Sequence, residues 1–238
     1  MSSDWPAVGS EDERIVWKQQ QQRLGSLFQK FSQDPRLPQT VVVIPSLSLD
    51  PRELSKLTGV YHYEERMLVN LMLLKQPRTR LVYVTSQRLD PTVVEYYLSL
   101  LPGVPSSHAR KRLVMLDCND RSNIPLTQKI LDRPRLIHRI QREIPDFRRA
   151  HMACFNSSPL DRSLSLRLGI PLHSVDPDLR WLGTKSGCRE TFKKADIQYP
   201  FGFERLHLGG GRRLARFVAR GAIGNELAQP GFGRHQRG

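Results

Sequence analysis

The sequence predicts an α/β fold, a mostly parallel sheet flanked by helices, with a helix in front and a disordered tail behind. Three observations carry this reading. Four short apolar runs, TVVVIP (40–45), RLVYVT (80–85), RLVMLD (112–117) and AHMACF (150–155), lack strict alternation, as strands covered on both faces do. Helical apolar spacing fills the stretches between them, and strand follows helix at spacings of roughly 30–40 residues, the rhythm of βαβ units. Asp-Pro pairs at Asp50-Pro51, Asp90-Pro91 and Asp176-Pro177 each give an N-cap acceptor followed by a residue preset for the first helical turn.

Taken in order, residues 1–35 form an N-terminal helical segment. Ser10 and Glu13 make a capping box, and Trp17, Leu24, Leu27, Phe28 and Phe31 recur at helical spacing until Asp34-Pro35 stops the helix. The first strand follows. His62–Lys75 is a helix burying Met67, Leu68, Leu71 and Leu74, and Pro91–Leu101 one burying Val94, Tyr97, Leu98 and Leu101. After Pro134 a third helix presents Leu136, Ile137, Ile140 and Ile144. Polar residues gather where the strands end: Ser46 and Ser48, Thr85 and Ser86, Asp117 and Asn119, Asn156 and Ser157. Singly, such residues cap turns and helices. As a set they suggest where a crevice would open, outside the carboxyl ends of the strands, where open α/β sheets bind ligands.

Bulk composition narrows the class further. The chain has 238 residues, enough for one large domain or one plus a fragment, with 39% hydrophobic and 25% charged residues. Three scattered cysteines fit a reducing cytosol better than a disulfide framework. The acidic N-terminus has no apolar core, so it does not read as a signal peptide. The longest apolar run, MLVNLMLL, falls short of the ~18 residues a membrane span needs, and a soluble cytoplasmic protein is expected. The net charge is +14, of which the last 34 residues, with seven arginines and one acid, supply +6. The remaining surplus is scattered among acids, which favours a solvated surface over a nucleic-acid stripe.

Several familiar motifs fail on their spacing. A P-loop needs glycines where Thr184 and Leu179 stand, and the GGG at 209–211 has Leu214 where a dinucleotide fingerprint closes on glycine. The histidines and cysteines show no zinc spacing, and there is no GxSxG elbow.

One stretch carries more. CFNSSPLDRSLSLRLGIPLHSVDPDLRWLGTKSGCRETFKKADIQYPFGFE, from Cys154 to Glu204, combines a PL loop, a DP-x-L run, KSG, an R-x-x-F helix and P-x-G-x-E. It resembles the junction in carboxylate-amine ligases of the ATP-grasp superfamily, closest to the peptide-ligase branch. There a Rossmann-like pre-ATP-grasp domain hands over to the ATP-grasp domain. The resemblance implies a Rossmann-like domain over 36–182 and the start of an ATP-grasp domain over 183–204. It also implies ATP and Mg2+ as cofactors, and carboxylate and amine substrates joined through an acyl phosphate. Lys185 matches the first lysine on the nucleotide phosphates, a role suited to a compact ammonium on a flexible stem. Ser186 and Gly187 leave room for backbone amides to approach an anion. Arg189 either adds a second positive contact or is a solvated helix arginine. Phe192 and Ala195 are packing residues, and Pro200 and Gly202 shape the exit loop.

The second nucleotide lysine, the adenine clamp and the magnesium ligands of that family have no match in the sequence, so a truncated ligase, inactive alone, is expected. Arg, Gly and Ala make up 19 of the 34 residues of 205–238, a composition too poor in apolar surface to fold alone beyond a short helix near Leu214–Arg220. Such a composition arises when GC-rich coding DNA is read out of frame, or in a genuine Arg/Gly tail that binds RNA. Two other functions therefore stay open: a basic non-enzymatic protein binding nucleic acid or a partner through this tail, and a stand-alone small-molecule-binding α/β domain.

Overall fold

The computed structural model describes residues 5–49 and 51–200. The expected tail, its short helix, Gly202 and Asp50 lie outside them. The chain divides into two units, Met1–Arg180 and Trp181–Gly238.

The first unit is a Rossmann-like α/β domain. Its five strands are β1 (Gln39–Ile44), β2 (Thr79–Thr85), β3 (Leu113–Asp117), β4 (Ala150–Cys154) and β5 (Leu172–His173), all parallel in the order β3-β2-β1-β4-β5. The four expected strands are present within a residue or so, and β5 is an addition. Strand β1 lies at the centre and explains the unbroken apolar runs. Val41 and Val43 face one side layer while Val42 and Ile44 face the other, and all four are buried. At roughly 1.5–3 kcal/mol for each buried side chain of this size, two-sided burial makes β1 a principal source of stability.

One side layer contains the helix Val60–Lys75, α4 (Pro91–Ser99) and α5 (Ser106–Arg110); Asp90 caps α4 by accepting the Thr92 amide at 2.7 Å, as its Asp-Pro pair foretells. The helix Val60–Lys75 is 3-10 rather than α. Its three-residue turn stacks Leu68, Leu71 and Leu74 on a single face, and all three are fully buried. A four-residue helix, α3 (Pro51–Leu54), precedes it.

The opposite layer holds α6 (Leu126–Leu131), α7 (Pro134–Arg142) and α8 (Pro159–Leu168), together with the N-terminal segment. That segment is two helices, α1 (Glu11–Gln21) and α2 (Arg23–Gln33), rather than the single expected one. Ser10 caps α1 as expected, accepting the Glu13 amide at 3.2 Å, while the Glu13 carboxylate reaches back to the Gly9 amide at 2.7 Å. The break at Gln22 follows two side chains committed elsewhere. Gln20 donates to the carbonyls of Ser165 and Ile170, at 3.1 and 2.7 Å. Gln21 accepts from the Leu172 amide at 2.9 Å and donates to the Leu172 carbonyl. One side-chain amide thus satisfies both main-chain groups of a residue on the edge strand β5, which blunts that edge against pairing with another chain.

Basic residues are less scattered than the sequence leads one to expect at one place. Arg135, His138, Arg139 and Arg142 share the exposed face of α7, at helical spacing. No helix among the described residues is long and apolar enough to cross a membrane.

Candidate functional site

The strand order reverses between β1 and β4, the switch point at which open α/β sheets hold ligands beyond the carboxyl ends of their strands. Here that point is occupied by a buried hydrogen-bond network. Asp161, in the first turn of α8 and fully buried, accepts from Thr127 Oγ1 at 2.7 Å, Ser158 Oγ at 2.6 Å and Ser48 Oγ at 3.2 Å. Ser46 lies 3.0 Å from Ser48 and accepts the Thr127 amide at 3.2 Å. The Asn156 amide clasps Ser48, accepting its N–H at 3.0 Å and donating to its carbonyl at 3.1 Å. Burial pushes the Asp161 carboxyl above its ordinary range, against the hydroxyl donors that favour the charged form. Ser46, Ser48 and Asn156 are thus brought together, but as partners of one another and of Asp161.

A second network closes the carboxyl ends of β2 and β3. Glu64, buried in the 3-10 helix, accepts from both the amide and the hydroxyl of Ser86, each at 2.5 Å. Lys129 of α6, also buried, donates to Ser86 Oγ at 2.9 Å and to the Asp120 carbonyl at 3.0 Å. Arg133 completes the chain through Asp120 Oδ2 at 2.7 Å. Desolvation acts on both charges: it raises Glu64 to about 7 and lowers Lys129. Thr85 donates to the Gln87 carbonyl at 2.7 Å, and Asp117 accepts the Asn119 amide at 3.1 Å, so these two shape turns. Glu64 and Lys129 leave no signal in the sequence. Both sit in helices as ordinary charged residues, and only the fold buries them.

The KSG segment lies in the second unit. Thr184 is the N-cap of α9 (Lys185–Lys194), and Lys185 is the first helical residue, exposed. The Thr184 hydroxyl accepts the Gly187 amide at 3.0 Å and donates to the Trp181 carbonyl at 2.6 Å. The Gly187 amide is therefore used inside the cap. Glycine is required there for another reason: a Cβ at 187 would stand 2.0 Å from the Trp181 carbonyl oxygen. Gly187→Ala is expected to displace the start of α9 and to destabilise it by on the order of 1–3 kcal/mol. Faster hydrogen exchange of the first α9 amides would register this. Arg189 donates to the Pro200 carbonyl and lies 4.7 Å from the Tyr199 ring centre, so it braces the exit of its own helix. Phe192 and Ala195, expected as packing residues, are exposed.

Among the described residues no group of three or more His, Cys, Asp or Glu side chains is placed to hold a metal ion. Nothing in this set fits magnesium, and no chemical step is assigned to that ion.

No protein-family model matches the chain, and no solved structure matches it significantly. Curated relatives do. Over 170 residues, 68% of its length, the chain is 28% identical to an L-propargylglycine–L-glutamate ligase of Streptantibioticus cattleyicolor. It is similar to a ligase. It is also 27% identical over 220 residues, 82% of its length, to IQ motif-containing protein H of Danio rerio. The matches cover 35% and 20% of these two relatives, so the chain spans about a third of one and a fifth of the other.

Proposed function

We propose that the chain is the Rossmann-like domain of an ATP-dependent carboxylate-amine ligase, with the opening of its ATP-grasp domain attached. In this reading it binds nucleotide without turning it over alone. The observation that carries the reading is the position of Lys185. It is the first residue of α9, where the positive end of the helix dipole favours an anion. The likeness to a ligase supports it, as does the α/β domain that precedes the motif. Lys185 would hold phosphate oxygens of ATP, and Ser186 lies beside it at the same helix start. Bound ATP supplies the phosphoryl group that activates a carboxylate. The relative's name pairs two amino acids, which makes amino acids the substrate class to test first.

Calorimetric titration with ATP tests the reading. Replacing a charged phosphate partner weakens binding by about tenfold or more, and Lys185→Ala is expected to do so. Equal affinity of the two proteins for ATP would remove Lys185 from the nucleotide site.

A further inference from the structure

Beyond the ends of β2 and β3, two cavities of about 300 and 520 Å³ flank the loop 86–91. The larger falls in the size range of small-molecule sites. Tyr61, His62, Glu65, Arg88, Asp90 and Arg121 contribute to its lining. Their placement is specific. Gly59 adopts φ +64° at the start of the 3-10 helix, and a Cβ there would lie 3.0 Å from His62 Cδ2. That turn sets the Tyr61 and His62 rings together, 4.4 Å between centres. Arg121, on the same cavity, is tethered by its Nε to Gln87 Oε1 at 3.3 Å, and among the described residues its terminal nitrogens make no ion pair. Arg88 is exposed and makes no ion pair among the described residues.

The charges decide the ligand class. Two guanidiniums and two carboxylates line the cavity, a formal balance of zero with His62 neutral. A phosphate dianion would meet Glu65 and Asp90 as well as the arginines, and like charges at that range are repelled. A zwitterion meets both signs. Guanidinium forks match a carboxylate in two parallel hydrogen bonds, while Glu65, whose only ion-pair partner among the described residues is His62 at 3.3 Å, can accept from an ammonium. We propose that this cavity binds a free amino acid, its carboxylate on Arg88 and Arg121 and its ammonium on Glu65. As a substrate site it rests on the ligase reading; as a binding site it does not.

The test is a calorimetric titration of the full chain with each of the twenty free L-amino acids, followed by the N-acetyl and the amide derivative of the best binder. At least one amino acid binds, and Arg88→Gln, Glu65→Gln and each blocked derivative weaken it by about tenfold or more. Both positions are at least partly exposed, so the variants retain the wild-type thermal midpoint. Absence of binding for all twenty overturns the proposal. So does full affinity in Arg88→Gln, or an N-acetyl derivative that binds as well as its parent, which would leave a site for anions alone. Lys185→Ala keeps amino-acid binding while losing ATP, and Arg88→Gln does the reverse. A chain that binds the amino acid but not ATP refutes the ligase reading and leaves this site standing.

Discussion

Replacing both Asp176 and Asp178 by asparagine is expected to cost about 3–5 kcal/mol of folding stability, the range found when a buried charge loses its partners. The charge is Arg162 of α8, whose side chain is fully buried. Its Nη2 lies 3.2 Å from Asp176 Oδ1 and 2.8 Å from Asp178 Oδ1, while Nε and Nη1 have no hydrogen-bond partner among the described residues. The guanidinium also sits 5.2 Å from the Trp17 ring centre, so an aromatic face covers part of it. The Arg162 hydrogen bond holds the Asp178 carboxyl below its ordinary range, and Arg14 Nε adds a contact at 3.3 Å. With both carboxylates gone, the guanidinium remains in the interior without an anionic partner among the described residues. Arg162→Met removes that charge, keeps much of the volume and leaves two carboxylates that reach solvent. It should cost far less, about 1–2 kcal/mol. Urea unfolding of the three proteins separates the two costs. If Arg162→Met is as damaging as the double asparagine variant, packing rather than charge governs the site. The acids belong to the DP-x-L run that figures in the ligase resemblance, and their role here is to hold α8.

The parts of the fold legible in the sequence are those whose burial leaves a periodic trace. β1 to β4 are continuous apolar runs because the sheet is covered twice, and α4 and α7 show one apolar stripe each. α8 leaves no such trace. Asp161, Arg162, Ser163 and Ser165 are all buried alongside Leu164, Leu166 and Leu168, so polar and apolar residues share every face. β5 is two residues long and has no room for a pattern. The 3-10 helix is legible as a helix but not as its type, since Leu68, Leu71 and Leu74 satisfy a three-residue turn and a 3.6-residue one alike. The site was less legible than the fold. Ser46, Ser48 and Asn156 point correctly to one end of the sheet, yet their partner Asp161 reads in sequence as an ordinary first-turn acid. Lys185 stands out only because its neighbours match a family pattern. Glu64, Lys129 and Arg162 have no local signal at all, because burial of a charged side chain is decided by contacts distant in sequence.

Those buried charges make stability depend on pH in two opposed ways. His151 of β4 is buried among Phe28, Phe31 and His173, and its Nδ1 has no hydrogen-bond partner among the described residues. Burial first, and the nearby His173 second, lower it from 6.5 to about 4. Between those values the unfolded chain binds the proton and the folded one does not, so this contribution is complete above pH 6.5 and is lost as pH falls toward 4. Glu64 behaves oppositely. Its pKa rises from 4.5 to about 7 on folding, because of burial, so the folded chain binds the extra proton. Its contribution is complete below pH 4.5 and is lost as pH rises toward 7, and Asp161, also raised by burial, has the same sign. Either change corresponds to about 3 kcal/mol at full effect. The two groups share no hydrogen-bond partner, so their contributions add. Between pH 4.5 and 6.5 they therefore offset each other, and single substitutions unmask them. Relative to the parent, His151→Phe gains stability as pH falls from 6.5 to 4.5, by up to about 3 kcal/mol, because it no longer has an unfolded-state proton to lose to. Glu64→Gln gains stability relative to the parent as pH rises over the same window, since no carboxyl must ionise in the interior. Denaturant unfolding at pH 4.5, 5.5 and 6.5 gives both slopes. Slopes of the same sign in the two variants would defeat the assignment, whatever their size.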